Sequence, residues 1–274
     1  IAVLQDRPLF WLEDRNKDAL ISPDEIAAAG QANAIKRFVK GGKFTPLFQK
    51  AYAKMVEHRR LEAVTRELNG GRPTMVHNDL TGANAVDRAV LKELLEAAEI
   101  IEGLYARQTG AARHLKAIKK ADPASRYLFW RNHGPWCTSP ETAGDTLCNA
   151  LPSFPPRRSE AYPQDAPQDE EMCKALQAHP DSKALLNPFN VVRKGKDGAL
   201  KAVPYNKVWG KQMMKVADRL KAAAKAAAKD PAEKALHRYL LEAAKGFETN
   251  YWEDADEAWA AMNAQNSRWY LRVG

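Results

Sequence analysis

Apolar residues recur at helical spacing over most of this sequence, and that spacing restricts the chain to a mainly helical fold. Leu47, Phe48, Ala51, Tyr52, Met55, Val56 and Leu61 mark a helix over residues 45–68, opened by Thr45-Pro46. Val90, Leu94, Leu95, Ala98, Ile101, Leu104 and Tyr105 mark another over 86–108, with Asn84 placed to cap it. Residues three and four apart share a helix face, so each run presents an apolar stripe that needs covering. Related patterns span 31–40, 111–120, 169–178, 207–228 and 231–246, and Asp122-Pro123 begins a short helix carrying Tyr127, Phe129 and Trp130. Gly41-Gly42 reads as the stop of the helix over 31–40. Strand signals are few: residues 191–203 read as a hairpin, because Asp197-Gly198 supplies the positive φ of a tight turn. The expected fold class is mainly α with a small β component, one hairpin and a C-terminal strand.

That strand lies in the closing residues. Tyr251, Trp252, Ala255, Trp259 and Met262 share a helical face, residues 265–267 break the helix, and 269–273 read as a strand. A strand with no neighbour leaves backbone donors and acceptors unpaired. Read this way, the sequence stops where more polypeptide is expected to follow, and Ile1 in place of Met points to a processed or trimmed start.

Hydrophobic residues make up 45% and charged residues 28% of the chain, a balance that excludes disorder. No apolar run approaches the ~20 residues of a membrane span. A net charge of +8 raises nucleic acid as a partner. The densest basic stretch, however, spaces Lys211, Lys215, Arg219, Lys221, Lys225 and Lys229 along an Ala-rich helix with no aromatic residues among them to stack on bases. No nucleic-acid partner is expected.

The sharpest local motif is Asp14 to Glu25, which fits the twelve-position EF-hand loop. Asp14, Asn16 and Asp18 offer side-chain oxygens at positions 1, 3 and 5. Leu20 offers its carbonyl at position 7, Ser22 sits at position 9, and Glu25 is the bidentate ligand at position 12. A hard cation needs this many oxygens aimed inward by a tight loop, so calcium is the expected structural ion. Ala19 departs from the motif where glycine is usual, a turn position that costs alanine about 1 kcal/mol. The competing reading is an acidic turn in which Ser22 caps a helix over 26–29.

Cys137, Cys148 and Cys173 do not form CxxC pairs, so a zinc knuckle is not expected. Cys137 and Cys148 bracket a short segment, and a bridge there would suit an oxidising compartment; three buried thiols is the alternative. None of the histidines sits at a recognised metal-ligand spacing. His58 beside Glu57 and His237 beside Glu233 read as solvated pairs, and His133 as a packing or capping residue at the start of the long Pro- and Gly-rich region 133–167.

Several stretches, in order, carry a family resemblance. They are Asp79-Leu-Thr-Gly-Ala-Asn-Ala-Val-Asp-Arg through Ile101, Asn132-His-Gly-Pro-Trp136, Glu160-Ala-Tyr-Pro-Gln164, Ala202-Val-Pro-Tyr205, and Asn250-Tyr-Trp-Glu-Asp254 running into Leu271-Arg-Val-Gly274. Together they resemble the N-terminal half of a bacterial branch of the dipeptidyl peptidase III family of zinc metallopeptidases. The resemblance implies part of a two-lobed, largely helical peptidase acting on peptide substrates. It also implies that the zinc ligands and a substrate-gripping Glu-x-Tyr segment lie beyond the matched region. No catalytic or zinc-binding residue is therefore assigned here, and zinc is expected only in a missing partner half.

The expected organisation is an N-terminal segment, 1–40, with the calcium-like loop, followed by a helical body, 41–274, incomplete at its C-terminal end. The expected function is the scaffold and cleft wall of a peptidase, inactive alone and partnered by a second polypeptide carrying the zinc. The alternative is a non-enzymatic, calcium-stabilised binding or scaffold protein. Either would be extracytoplasmic.

Overall fold

The structure, a computed structural model, describes residues 37–71 and 74–273, and the backbone of residues 9–11 and 26–28. The proposed calcium ligands Asp14, Asn16, Asp18, Leu20, Ser22 and Glu25 lie outside the described residues, as does most of the helix expected over 31–40. Leu9–Trp11 (β1) pairs antiparallel with Ile26–Ala28 (β2), with Trp11 opposite Ile26. Residues 26–28, a capped helix only in the competing reading of the loop, are strand.

The remaining elements run in order. After β3 (Val39–Lys40) and β4 (Lys43–Phe44) come α1 (Pro46–Asn69), α2 (Ala85–Gln108), α3 (Pro123–Arg131), α4 (Glu170–Ala178) and α5 (Ser182–Leu185). The hairpin β5 (Asn190–Lys194) and β6 (Leu200–Pro204) follows, then α6 (Tyr205–Val208), α7 (Gly210–Ala227), α8 (Lys234–Thr249) and α9 (Glu253–Ala260). The fold is mainly α with a small β component. Among the described residues no helix is long and apolar enough to cross a membrane.

The chain divides into two compact units: Ile1–Pro73 with Leu115–Pro155, and Thr74–His114 with Pro156–Gly274. In the first, Gly41 and Gly42 turn the β3–β4 hairpin with φ of 57° and 71°. The expectation of a helix stop is corrected: successive positive φ values are what a type I′ turn requires. Thr45 then caps α1 through the Phe48 N–H, with Pro46 in the first turn, where its missing N–H costs nothing.

In the second unit α7 packs against both α2 and α8. Its alanines Ala217, Ala223, Ala224 and Ala227 are fully buried, and small side chains let neighbouring helices approach closely. Val90, Ala97 and Leu104 of α2, and Leu236, Tyr239, Leu240 and Phe247 of α8, complete that core. Asn84 and Asp87 form a reciprocal capping box on α2. The hairpin forms as expected, with Val191 opposite Val203 and Gly198 at φ 81°.

Three elements differ from expectation. Residues 112–117 form a 3₁₀ helix rather than an α-helix. The helix expected over 207–228 breaks at Trp209 (φ −117°, ψ 25°), which turns this buried ring edge-on to Tyr205 at 4.8 Å. Residues 269–273 show the alternating burial of a strand but have no ladder. They form a strap instead. Trp269, Leu271 and Val273 pack on the helical core, while Tyr270 is 93% exposed.

Candidate functional site

Within the second unit, α2, α7, α8 and the strap enclose an apolar cavity of about 530 Å³, a size typical of ligand pockets. Leu104 and Tyr105 of α2, Met213 of α7, Phe247 of α8, Trp252 and Val273 form much of its wall. The cavity exists because of how α8 ends. Asn250 takes the left-handed conformation (φ 67°) beyond the last turn, and its N–H bonds the Gly246 carbonyl at 2.8 Å. The chain then folds back and lays Trp252 over Gly246, where a Cβ would lie 2.7 Å from the indole. Trp252 in turn stacks on Phe189 at 5.8 Å and meets Phe247 edge-on at 4.9 Å.

The polar groups of the cavity are few. Arg272 pairs with Asp256 at 3.1 Å and lies 4.8 Å over the Trp259 ring. Burial, reinforced by Tyr162, pushes the Tyr205 phenol above its ordinary pKa. Such a wall suits bulky apolar groups and offers no nucleophile with a base at hand.

The strap is fixed by a carboxylate that the sequence reading misplaced. Glu233 is buried rather than solvated beside His237; it accepts from Ser267 Oγ at 2.6 Å and from the Arg268 N–H at 3.0 Å. His237 meets the Ala224 carbonyl through Nδ1 at 2.9 Å. His58 pairs with Glu62 at 3.2 Å, not with Glu57, which instead holds Arg60.

The first unit holds the other buried polar centres. Arg60 is buried and donates to Glu57, Asp122, Ser125 and the Asn149 carbonyl at 2.7–2.8 Å. Glu67 is also buried. It accepts from Arg131 at 2.8 Å, Asn132 at 2.9 Å, the Thr138 N–H at 3.2 Å, the Ser139 N–H at 3.3 Å, and the Thr142 hydroxyl. Burial would raise its pKa, but these donors outweigh burial and hold it at about 2. Asn132 belongs to the Asn-His-Gly-Pro-Trp turn singled out above, and Trp136 of the same turn donates from Nε1 to the Pro155 carbonyl at 2.7 Å.

Cys137 and Cys148 are joined, with Cα atoms 5.6 Å apart, and Cys173 is free and exposed. Among the described residues, Glu67, Cys137 and Cys148 form the grouping compact enough to share a metal ion. Its sulfurs are consumed by the bridge and its carboxylate by donors already in place. This set does not fit the zinc ion that the resemblance implies.

Sequence reasoning missed Arg60, Glu67 and Glu233 as buried centres. Apart from Glu57, three residues from Arg60, the partners cited for them lie tens of residues away, and nothing local distinguishes the three from surface charges.

No protein-family model and no curated protein matches the sequence. Solved structures do. Dipeptidyl-peptidase III from Corallococcus sp. strain EGB aligns with a TM-score of 0.60 and 24% identity, over 74% of this chain and 37% of that one. DPP III from Caldithrix abyssi aligns with a TM-score of 0.57 and 26% identity, over 73% of this chain and 38% of that one. The chain therefore spans well under half the length of the structures it matches, and it has the fold of that part of a dipeptidyl-peptidase III.

Proposed function

We propose that these residues are the scaffold and cleft-wall part of a dipeptidyl peptidase III-like zinc metallopeptidase. They are inactive alone, and the zinc-bearing half is supplied by polypeptide outside this sequence, as a continuation or as a second chain. The observation that carries this reading is the fold match over about three-quarters of the chain but little more than a third of the solved proteins. The ordered resemblance from Asp79 to Val273 supports it. The test is direct: the purified chain is assayed for bound zinc by mass spectrometry and for cleavage of a dipeptidyl arylamide. The expected result is neither stoichiometric zinc nor cleavage. Hydrolysis by the lone chain would reject the reading.

A second reading is a calcium-stabilised, non-enzymatic binding or scaffold protein on the same fold. The spacing of oxygen donors from Asp14 to Glu25 favours it. Melting with and without about 1 mM calcium, the range extracellular modules use, tests the ion. An unchanged melting temperature counts against calcium in either reading. The Cys137–Cys148 bridge supports an extracytoplasmic location for both.

A further inference from the structure

Three buried side-chain polar atoms around the end of α8 have no hydrogen-bond partner among the described residues: Asn206 Oδ1, Asn250 Oδ1 and the Trp252 indole Nε1. Buried polar atoms are nearly always paired, so each of these needs a partner. The two amides are fixed in orientation. Asn206 Nδ2 donates to the Glu248 carbonyl at 2.8 Å, and Asn250 Nδ2 donates to the Phe189 carbonyl at 3.0 Å. A flip of either would set oxygen against oxygen, so both asparagines offer an acceptor while Trp252 offers a donor. The three share one neighbourhood. Trp252 lines the apolar cavity and stacks on Phe189, which lines it too. Asn250 stands two residues before Trp252, and Asn206 directly follows the lining residue Tyr205.

The cavity supplies the apolar half of the pattern. Its rings are those of Tyr105, Phe189, Tyr205, Trp209, Phe247 and Trp252. Its charged lining residues, Asp256 and Arg272, are paired with each other, so the wall holds no unmatched charge for an ionised ligand. We infer that the cavity is a binding site for an uncharged, apolar primary carboxamide. Its ring or alkyl body lies against the aromatic wall, its carbonyl accepts from Trp252 Nε1, and its two amide hydrogens donate to Asn206 Oδ1 and Asn250 Oδ1. A carboxamide carries one strong acceptor and two donors on a single planar group, the complement of these three atoms. A carboxylate brings no donor and an ammonium no acceptor. A lone water matches the three polar atoms but leaves the aromatic wall uncovered, whereas a carboxamide with an apolar body satisfies both.

The experiment titrates residues 1–274 with three probes of one shape. They are 3-phenylpropanamide, 4-phenylbutan-2-one, in which a methyl replaces the amide nitrogen, and isopentylbenzene, which has no polar group. Binding is followed by calorimetry and by the indole N–H resonance of Trp252. Partitioning into an apolar cavity alone ranks the hydrocarbon first and the amide last, because the amide has most to lose on leaving water. The carboxamide site reverses that order: the amide is expected to bind at least about tenfold tighter than the ketone and to move the Trp252 resonance. Trp252→Phe keeps a ring and removes the donor. It is expected to weaken the amide and the ketone by about tenfold and to leave the hydrocarbon unchanged. Asn206→Ala is expected to weaken the amide alone. Any other order of the three probes overturns the site, as does an amide that saturates without moving the Trp252 resonance, or one that does not bind at millimolar concentration. The probe order and the wild-type resonance decide the matter even where a variant unfolds. An amide that binds residues 1–274 but not a longer form of the protein also overturns the site, because the cavity is then filled by the protein itself.

Discussion

At the scale of single residues, the buried carboxylates carry the sharpest consequences. The Glu67 pKa of about 2 lies below the ordinary value of 4.5. A depressed folded-state pKa means the stabilisation is complete above pH 4.5 and is lost as pH falls from there towards 2. Integrated over that window, it amounts to about 3 kcal/mol. Glu67→Gln keeps the shape but offers one acceptor oxygen to donors arranged for two. Urea titration at pH 7 is expected to show a loss of about 2–3 kcal/mol. Repeated at pH 3, the difference from wild type should shrink. A difference that stays constant with pH would mean that packing, not charge, holds Glu67 in place. Gly246 makes a different residue-scale demand. With the Trp252 ring 2.7 Å from the position of a Cβ, Gly246→Ala should cost about 1–3 kcal/mol. It should also move the near-ultraviolet signal of the Phe189–Trp252–Phe247 aromatic group, whereas Ala substitution at a solvent-facing glycine such as Gly103 should not.

At the scale of elements, caps made much of the fold legible. Asn84, Asp122-Pro123, Asp169 and Asp197-Gly198 fix their helix starts and hairpin turn through bonds within a few residues, so the sequence carries them locally. What could not be read locally depended on distant partners. Gly41-Gly42 permits either a helix stop or a hairpin, and the choice falls to β4 pairing back on β3. Trp209 sits in a continuous helical pattern and breaks it because Tyr205 offers its ring a buried face. The candidate site was only partly legible: Trp252 and the strap both lie in the closing stretch singled out in the sequence, but the cavity they help line needs Leu104, Met213 and Phe247 from three other helices. The bridged loop belongs to this scale as well. Cys137–Cys148 closes the segment that brings Thr138, Ser139 and Thr142 onto Glu67. Replacing both cysteines by alanine should therefore cost about 2–4 kcal/mol in chain entropy. It should also raise the acid sensitivity assigned to Glu67, read as an upward shift of the low-pH unfolding midpoint.

At the scale of the whole molecule, the net charge of +8 is the property most open to misreading. A basic protein binds DNA when its cations form an uncompensated track along the phosphates, and each contact then steepens the salt dependence. Here the cations of α7 and its neighbours are partly claimed. Arg219 bridges Glu93 at 3.0 Å and Glu96 at 2.9 Å, Lys221 pairs with Glu248, and Arg268 holds Asp87 and Asp230. The opposite side of α7 is buried, so its free lysines lie on a narrow stripe with no aromatic platform beside it. Such a stripe attracts polyanions only weakly and only where screening is low, because the Debye length shrinks to about 8 Å at physiological ionic strength. A fluorescently labelled duplex is thus expected to show weak binding at about 0.01 M salt, where the Debye length is about 30 Å, and none at about 0.15 M. Removing the acidic partners reverses the argument. Glu93→Gln with Glu96→Gln frees Arg219, adds two units of net positive charge and should strengthen the low-salt binding measurably. Binding that persists at physiological salt in the wild-type chain would show that the charge is organised rather than diffuse.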